Sequence, residues 1–358
     1  MLAPNWVGDA VMCLPALAAL AAQQPDWRWE IAARPAVAPV FTAAARAAAG
    51  ATWTVAVLEG APGVRQWRAM RRRWRGAPPL CVVVLPNSLY SALLARATGA
   101  RQRVGYARDG RSALLTHPIG RPGPGETPPH EAFYYWELLR RAGLAGPWPA
   151  RVEALRAPIA ASAPALAEWA QRLPTPVPGG GRVAIHAGAS FGHAKRWVPE
   201  RFAAVAARLA AAGHAVLFIG SQQEAALATT LAQSAATSAG PSAAPIVTLA
   251  GATDLEGLLA VLAQCQLLIA NDSGPMHLAA ALGTPVLAVF GSTNARETHP
   301  LGTPGTWRLV QAPGIACSPC KRRECPIDHR CMTRVGVAEV TTAALDLLAQ
   351  RQADLPQI

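Results

Sequence analysis

LLIANDSGPMHLAAALGTPVLAVFG, residues 267–291, reads as a buried strand, a turn carrying Asp272, Ser273, Gly274 and His277, a short helix, and a second buried strand. The helix opens on a capping group, Asp272 or Ser273, has Pro275 near its first turn and stops at Gly283. Its unpaired N–H groups therefore face outward where the strand ends, a place that attracts anions and diphosphates especially. In open α/β sheets ligands lie beyond the carboxyl ends of the strands, where this turn falls. Taken alone, an ordinary capped loop is the commoner object, so the rest of the chain has to decide.

Working outward, the second half repeats the same unit. Strands are expected at Val183 to His186, Ala215 to Ile219, Ile246 to Leu249, Leu267 to Ala270, Val286 to Phe290 and Trp307 to Val310. Helices fill the gaps: Phe202, Val205 and Leu209 share one face before Gly213, and Thr253 with Glu256 forms a capping box ahead of Leu258, Leu259 and Leu262. Strands separated by such helices pair in parallel with right-handed crossovers, which makes the second half Rossmann-like. The first half has a similar rhythm, with strands at Thr54 to Leu58 and Leu80 to Leu85. LPTPVPGGGR, from Leu173 to Arg182, suits neither helix nor strand and is placed as a linker. The expected division is residues 1–172, linker 173–182, second domain 183–337, and a C-terminal helix and tail at 338–358.

At 358 residues a prior of two domains is reasonable, and 51% hydrophobic content supports globular folding. No apolar run is long enough for a membrane helix, and the stretch from Ala10 to Ala22 lacks a basic flank and is broken by Pro15, which argues against an export signal. Seven cysteines then fit a reducing, cytoplasmic setting with mostly free thiols. The net charge of +12 favours acidic partners, nucleic acid, anionic lipid or phosphorylated sugars among them. Of 33 basic residues only Lys195 and Lys321 are lysines, a hint that a compact point charge is wanted at those places.

Two further junctions carry candidate chemistry. Asn5-Trp6-Val7-Gly8-Asp9 runs into a helix; Asp9 either caps that helix or faces a cleft. His186-Ala-Gly-Ala-Ser-Phe-Gly-His-Ala-Lys-Arg-Trp197 is a strand followed by a glycine-containing loop with a cation, or else a solvated surface loop.

NWVGD, PNSLYSALL at 86–94, HAGASFGHAKRW and NDSGPMHLAAALG, in that order, resemble the glycosyltransferases of family 9 that move heptose from ADP-heptose to the lipopolysaccharide inner core. The WVGD opening, the FG-x-AKRW loop and the Cys-rich C-terminal stretch are most similar to the branch that adds the second heptose. The resemblance implies a GT-B architecture: two Rossmann-like domains facing across a cleft, donor on the C-terminal one and acceptor, heptosyl-Kdo2-lipid A, on the other. By motif position Asp9 would be the general base that takes the acceptor hydroxyl's proton during inverting attack on the anomeric carbon. Lys195 would neutralise charge growing on the departing ADP. Asp272, Ser273, Gly274 and His277 would hold the donor, and Glu224, four residues past Gly220, would accept from the ribose. No cofactor or divalent metal is implied if lysine and helix dipole neutralise the diphosphate.

Six arginines fall between 65 and 75, with Trp67, Met70 and Trp74 at helical spacing. A charge run is usually a solvated face, yet no acid lies among these cations, so an anionic partner is expected. The resemblance implies that partner to be the Kdo carboxylates and phosphates of the acceptor, or the anionic cytoplasmic face of the inner membrane, met by Arg68, Arg71, Arg72 and Arg75. Cys317, Cys320, Cys325 and Cys331 lack the paired CxxC knuckles of common zinc sites, so free thiols or a disulfide are favoured over metal. Because four residues precede Asn5, the first central strand is expected to be missing or cut short, as in a chain whose start lies upstream. Rival readings are a heptosyltransferase acting on a different core acceptor and, in another class, a non-catalytic sugar-nucleotide or lipopolysaccharide binder. No recognition motif accompanies the arginines, which ranks nucleic acid last.

Overall fold

Among the described residues five short strands, all parallel, form the sheet of the first half: β1 Trp29–Ala33, β2 Trp53–Val57, β3 Cys81–Val84, β4 Gln102–Tyr106 and β5 His117–Ile119. The computed structural model describes residues 1–48, 53–303 and 305–353. Between β1 and β3 lies a fragment of chain at Met1–Ala3. The Leu2 N–H donates to the Val83 carbonyl (2.8 Å), and Leu85 N–H returns to the Leu2 carbonyl (3.2 Å). On the other side Ala3 N–H donates to Ala32 (3.0 Å) and Ala32 N–H to Met1 (2.8 Å). This fragment takes the central position of the sheet, with backbone bonds made in parallel to both neighbours over three residues. The order is β2-β1-fragment-β3-β4-β5. The sequence reading missed β1, β4 and β5, whose charges and short lengths hide the apolar signal.

The second sheet holds β6 Arg182–His186, β7 Ala215–Phe218, β8 Ile246–Thr248, β9 Leu267–Asn271, β10 Val286–Phe290 and β11 Trp307–Gln311. Its order is β8-β7-β6-β9-β10-β11, parallel throughout. Every residue of β9 and β10 is buried, as strands covered on both faces must be. The chain runs outward from β6 to β8, then returns to the other side of β6 as β9. This reversal is a topological switch point, where two adjacent connections leave in opposite directions and open a crevice at the carboxyl ends.

The chain divides into units Met1–Ile159 and Ala160–Ile358. The division precedes the predicted linker. Helix Ala163–Arg172, capped by Ser162, packs against helix Leu255–Ala263: Glu256 accepts from Ser162 N–H (3.0 Å), and Gln264 Nε2 donates to the Leu166 carbonyl (3.3 Å). The proline-glycine run at 173–182 is a loop within the second unit. The cap of helix Leu255–Ala263 is Asp254, accepting from Gly257 N–H at 2.7 Å, rather than Thr253. Helix Val337–Ala353 packs on helix Pro199–Ala211 and on β9, β10 and β11, so the predicted C-terminal helix belongs to this unit. The tail after residue 353 lies outside the described residues. Among the described residues no helix is long and apolar enough to cross a membrane.

Candidate active site

β6 and β9 lie side by side, with His186 in register with Ala270, and each ends on a polar residue at the switch point. Asn271, which closes β9, is fully buried. Its Oδ1 accepts from Trp197 N–H (2.9 Å), and its Nδ2 donates to the carbonyls of Ala187 (3.0 Å) and Gly188 (3.1 Å). One side chain thereby pins both ends of the loop after β6. Trp197, itself buried, is held through Nε1 on the Val335 carbonyl at 3.1 Å. The sequence reading has Asn271 and His186 at the heads of two motifs but gives neither a role. Their signal was a polar residue ending a buried apolar run, at the strand end where ligands sit.

That loop carries Lys195 at the end of a short turn, His193–Lys195. The Ala194 N–H donates to the Arg323 carbonyl at 2.9 Å, and a Cβ on Gly192 would lie 2.3 Å from that same oxygen, so the approach requires glycine. Lys195 Nζ sits 2.7 Å from Asp272 Oδ2 and 5.1 Å above the Phe191 ring. Asp272 is 4% exposed and also accepts from Thr298 Oγ1 at 3.3 Å. A buried carboxylate needs such a counter-charge, and a lysine at 14% side-chain exposure supplies it while staying reachable.

Neither Asp272 nor Ser273 caps helix Gly274–Leu282 by its side chain, contrary to the sequence expectation. Ser273 is the N-cap residue by backbone, but its hydroxyl makes no capping bond and faces His186 Nδ1 at 3.1 Å. Asp272 is drawn away by Lys195. The helix N-terminus is left without a side-chain cap, which keeps its dipole available to an anion. His277, in the first turn, is 3% exposed with Nδ1 lacking a hydrogen-bond partner. Burial lowers its pKa to about 4, with Lys195 and His299 adding to the effect and Asp272 opposing it, so the ring is neutral. A buried, unsatisfied imidazole nitrogen is suited to a ligand hydroxyl.

Glu224 closes a capping box with Ser221: its Oε2 accepts from Ser221 N–H and Oγ, both at 2.8 Å. Its Oε1 lies 3.5 Å from His186 Nε2 and presses against Gly188, where a Cβ would sit 1.6 Å from it. Burial would raise this carboxyl's pKa, yet His186 and Ser221 together outweigh it and hold the group at about 2. Gly220, at the end of β7, leaves room for the Glu224 stem, since a Cβ there would approach it at 3.2 Å. Lys195, Asp272, Ser273, Gly274 and His277 thus gather at the end of β9, and Ser273 joins Glu224 through His186.

In the first unit Asp9 occupies the first turn of helix Val7–Met12, whose N-cap is Trp6, so Asp9 is not the capping residue. It follows the Met1–Ala3 fragment, at that sheet's own switch point. The PNSLYSALL block lies after β3 and is held by Arg111, which the sequence reading also missed. Fully buried, Arg111 donates to the carbonyls of Tyr106 (2.9 Å) and Pro86, to Ser91 Oγ (3.2 Å) and to Asn87 Oδ1 (3.4 Å). Burial lowers its pKa.

The arginines 65, 68, 71, 72, 73 and 75 are all exposed on and just after helix Val64–Arg73. One of them departs from the expected unpaired cluster: Arg73 forms an ion pair with Glu30, contributed by β1. Arg71 stacks over Trp67 at 5.4 Å. Among the described residues Arg65, Arg68, Arg71, Arg72 and Arg75 have no ion-pair partner. A cavity of about 510 Å³ lined by Trp27, Trp29, Met70, Trp74 and Leu80 opens near this helix, at the amino ends of β1 and β3 and so away from the Asp9 end of the sheet. Cys317, Cys320, Cys325 and Cys331 are free thiols, and among the described residues no three His, Cys, Asp or Glu side chains are grouped to hold a metal.

The model of glycosyltransferase family 9 (heptosyltransferase) matches residues 67–330, most of the chain. The chain belongs to that family. It is therefore a glycosyltransferase. Among similar heptosyltransferases, lipooligosaccharide heptosyltransferase 2 of Haemophilus ducreyi is 28% identical over 305 residues, covering 84% of this chain and 85% of the relative. Lipopolysaccharide heptosyltransferase 2 of Escherichia coli K12 is 26% identical over 304 residues, 84% of each. A Campylobacter jejuni lipooligosaccharide heptosyltransferase 2 is 33% identical over 165 residues, about half of each protein (46% and 50%). The solved structure of E. coli ADP-heptose LPS heptosyltransferase II matches with a TM-score of 0.78 over 98% of both chains, at 23% identity. The fold class is thus the GT-B type of this heptosyltransferase family, as the sequence resemblance implies.

Proposed function

We propose that this family 9 member is an inverting transferase that moves L-glycero-D-manno-heptose from ADP-heptose to the first heptose of the lipopolysaccharide inner core. The carrying observation is the group at the second unit's switch point: an uncapped helix N-terminus, Lys195 held ready by Asp272, and Glu224 fixed beside His186. A nucleoside diphosphate sugar fits those groups. The helix N–H groups at Gly274 and the Lys195 ammonium meet the diphosphate, Glu224 accepts from the ribose hydroxyls, and Ser273, His277 and Asp272 offer partners to phosphate and sugar. The names of the relatives support the choice of donor and acceptor.

In the reaction, Asp9 accepts the proton of the acceptor hydroxyl as its oxygen bonds to the anomeric carbon, and the bond from that carbon to the ADP oxygen breaks. Configuration inverts because attack and departure take opposite faces. Charge accumulates on the leaving diphosphate, where Lys195 and the helix dipole stabilise it more in the transition state than before it. Arg68, Arg71, Arg72 and Arg75 engage the anionic acceptor, and the enzyme works at the cytoplasmic face of the inner membrane through peripheral contact with anionic lipid.

The test is incubation with ADP-heptose and either Kdo2-lipid A or its monoheptosylated form, with the product read by mass. One added heptose on the monoheptosylated acceptor is expected. Turnover on Kdo2-lipid A alone moves the reading to addition of the first heptose, and no turnover on either removes the acceptor reading. Asp9→Asn should abolish transfer while ADP still binds, and retained transfer would take Asp9 out of the base role.

A further inference from the structure

We infer that His186 is a positioning residue for the donor diphosphate: when doubly protonated it turns the Ser273 hydroxyl into a donor toward a phosphate oxygen, so donor binding takes up a proton. The inference rests on the donor site proposed above and concerns a residue to which neither the sequence reading nor the transfer mechanism gives a role.

The argument is one of hydrogen counting. His186, at the end of β6 and buried, meets Ser273 Oγ through Nδ1 at 3.1 Å and Glu224 Oε1 through Nε2 at 3.5 Å. The other oxygen of Glu224 accepts twice from Ser221, an arrangement that suits the ionised carboxylate, which offers only lone pairs. A neutral imidazole has one N–H. If that hydrogen faces Glu224, Nδ1 is an acceptor and must take the hydroxyl hydrogen of Ser273. The serine then has nothing left to donate. If instead the hydrogen is on Nδ1, the Nε2 lone pair confronts the carboxylate, a repulsive contact inside a buried site. The imidazolium resolves both: Nε2–H donates to Glu224, Nδ1–H donates to Ser273 Oγ, and the serine hydrogen turns outward.

A diphosphate at this helix N-terminus rewards that arrangement twice, through the freed hydroxyl and through one more positive charge. The other charged groups near Ser273 offset each other, since Asp272 is paired with Lys195, and His277 is neutral. Glu224 Oε1 is the acceptor that the Nε2–H of the imidazolium meets. Ser273 is also released from capping duty, which is why its hydroxyl can serve a ligand at all.

The experiment is calorimetry of ADP-heptose binding without acceptor, in pairs of buffers with different ionisation heats, from about pH 6 to 8 where histidines titrate. ADP-heptose is chosen because a diphosphate esterified at both ends has no group titrating near neutrality. The wild type should take up close to one proton at the alkaline end, with Kd rising by up to about tenfold per pH unit there. His186→Gln should bind with a flat pH profile and no uptake. Ser273→Ala, which leaves no hydroxyl to release, should also lose most of the uptake, and it serves if the His186 variant misfolds. Wild-type binding without uptake, or an unchanged uptake and slope in His186→Gln, overturns the inference and leaves the donor site standing. No binding of ADP-heptose by the wild type overturns the donor site itself and this inference with it.

Discussion

Gly188→Ala tests how tightly the proposed ribose acceptor is built. The new methyl would be placed 1.6 Å from Glu224 Oε1 and 3.0 Å from His186 Nε2, with ordinary contact beginning at 3.4 Å. The glutamate oxygen must retreat by roughly 2 Å, a distance set by ordinary carbon–oxygen contact. A free side chain would do so at small cost. Glu224 is not free, because Oε2 is anchored at 2.8 Å to both the N–H and the hydroxyl of Ser221. Retreat breaks at least one of those bonds and the contact with His186, a loss of about 1–2 kcal/mol for a capping box. In a unit of this size that corresponds to a fall in Tm of roughly 2–8 °C. Loss of a charged acceptor for the ribose costs a further 1.5–3 kcal/mol or so, a weakening of ADP binding by roughly ten- to a hundredfold. The assay is calorimetric titration with ADP alongside a thermal melt, for Gly188→Ala, Glu224→Ala and the double variant. Since the clash vanishes when Glu224 is shortened, the two substitutions should be strongly non-additive in Tm. A Gly188→Ala protein with wild-type Tm and ADP affinity, or additive melts in the double variant, would refute the account of how Glu224 is held.

Three other outcomes follow from the same structure. Arg111→Met removes the donor shared by Tyr106, Pro86, Ser91 and Asn87, and unpaired buried acceptors should lower stability by about 3 kcal/mol in urea unfolding; a change within error would mean that water replaces the guanidinium. Glu137, almost wholly buried, is held at about 2 chiefly by Arg140, with burial opposing and Arg141 and Trp148 assisting. Its folded pKa lies below the unfolded one, so its stabilisation of roughly 2 kcal/mol is present above about pH 4.5 and fades as pH falls toward 2; Glu137→Gln should flatten the urea midpoint across that window. Arg71→Glu with Arg72→Glu should raise the acceptor KM by about tenfold or more, since each basic residue near an anionic surface contributes about 1 kcal/mol, with the ADP-heptose KM unchanged. Equal acceptor KM values in initial-rate measurements on vesicle-borne acceptor would assign these arginines to solvent.

Legibility in the sequence followed burial. β9 and β10 were readable because covered parallel strands are continuous apolar runs, and the turn between β9 and the next helix announced itself by Gly274, Pro275 and Gly283. β1 was not, since Glu30 sits within it to pair with Arg73, and that distant partner cannot be seen from the local pattern. The division of the chain into compact units falls ahead of the expected linker for a related reason. A proline-glycine run shows where regular structure stops but says nothing about what helix Ala163–Arg172 packs against, which is helix Leu255–Ala263 through the bonds of Ser162 and Leu166. Among candidate site residues, those at glycine-rich turns were the ones the local pattern could single out. Asn271, His186, Thr298 and Arg111 were not, because their roles consist of contacts to residues far along the chain.

The basic side chains of the proposed donor site already have partners, and this bears on how a diphosphate enters. Lys195 is bonded to Asp272, and His186 faces Glu224. A ligand with two negative charges cannot simply fill an empty positive pocket; it must share or displace a carboxylate. Asp272 has an alternative donor in Thr298 at 3.3 Å, and Lys195 is the more exposed member of its pair. The ammonium can thus swing toward phosphate while Asp272 keeps one hydrogen bond, so the buried carboxylate is not left bare at any stage. Glu224 has no such freedom, being anchored by both bonds from Ser221 in the space that Gly188 leaves open. One ion pair can open while the other carboxylate holds, which suits a site whose diphosphate must leave after each turnover while the ribose position stays constant.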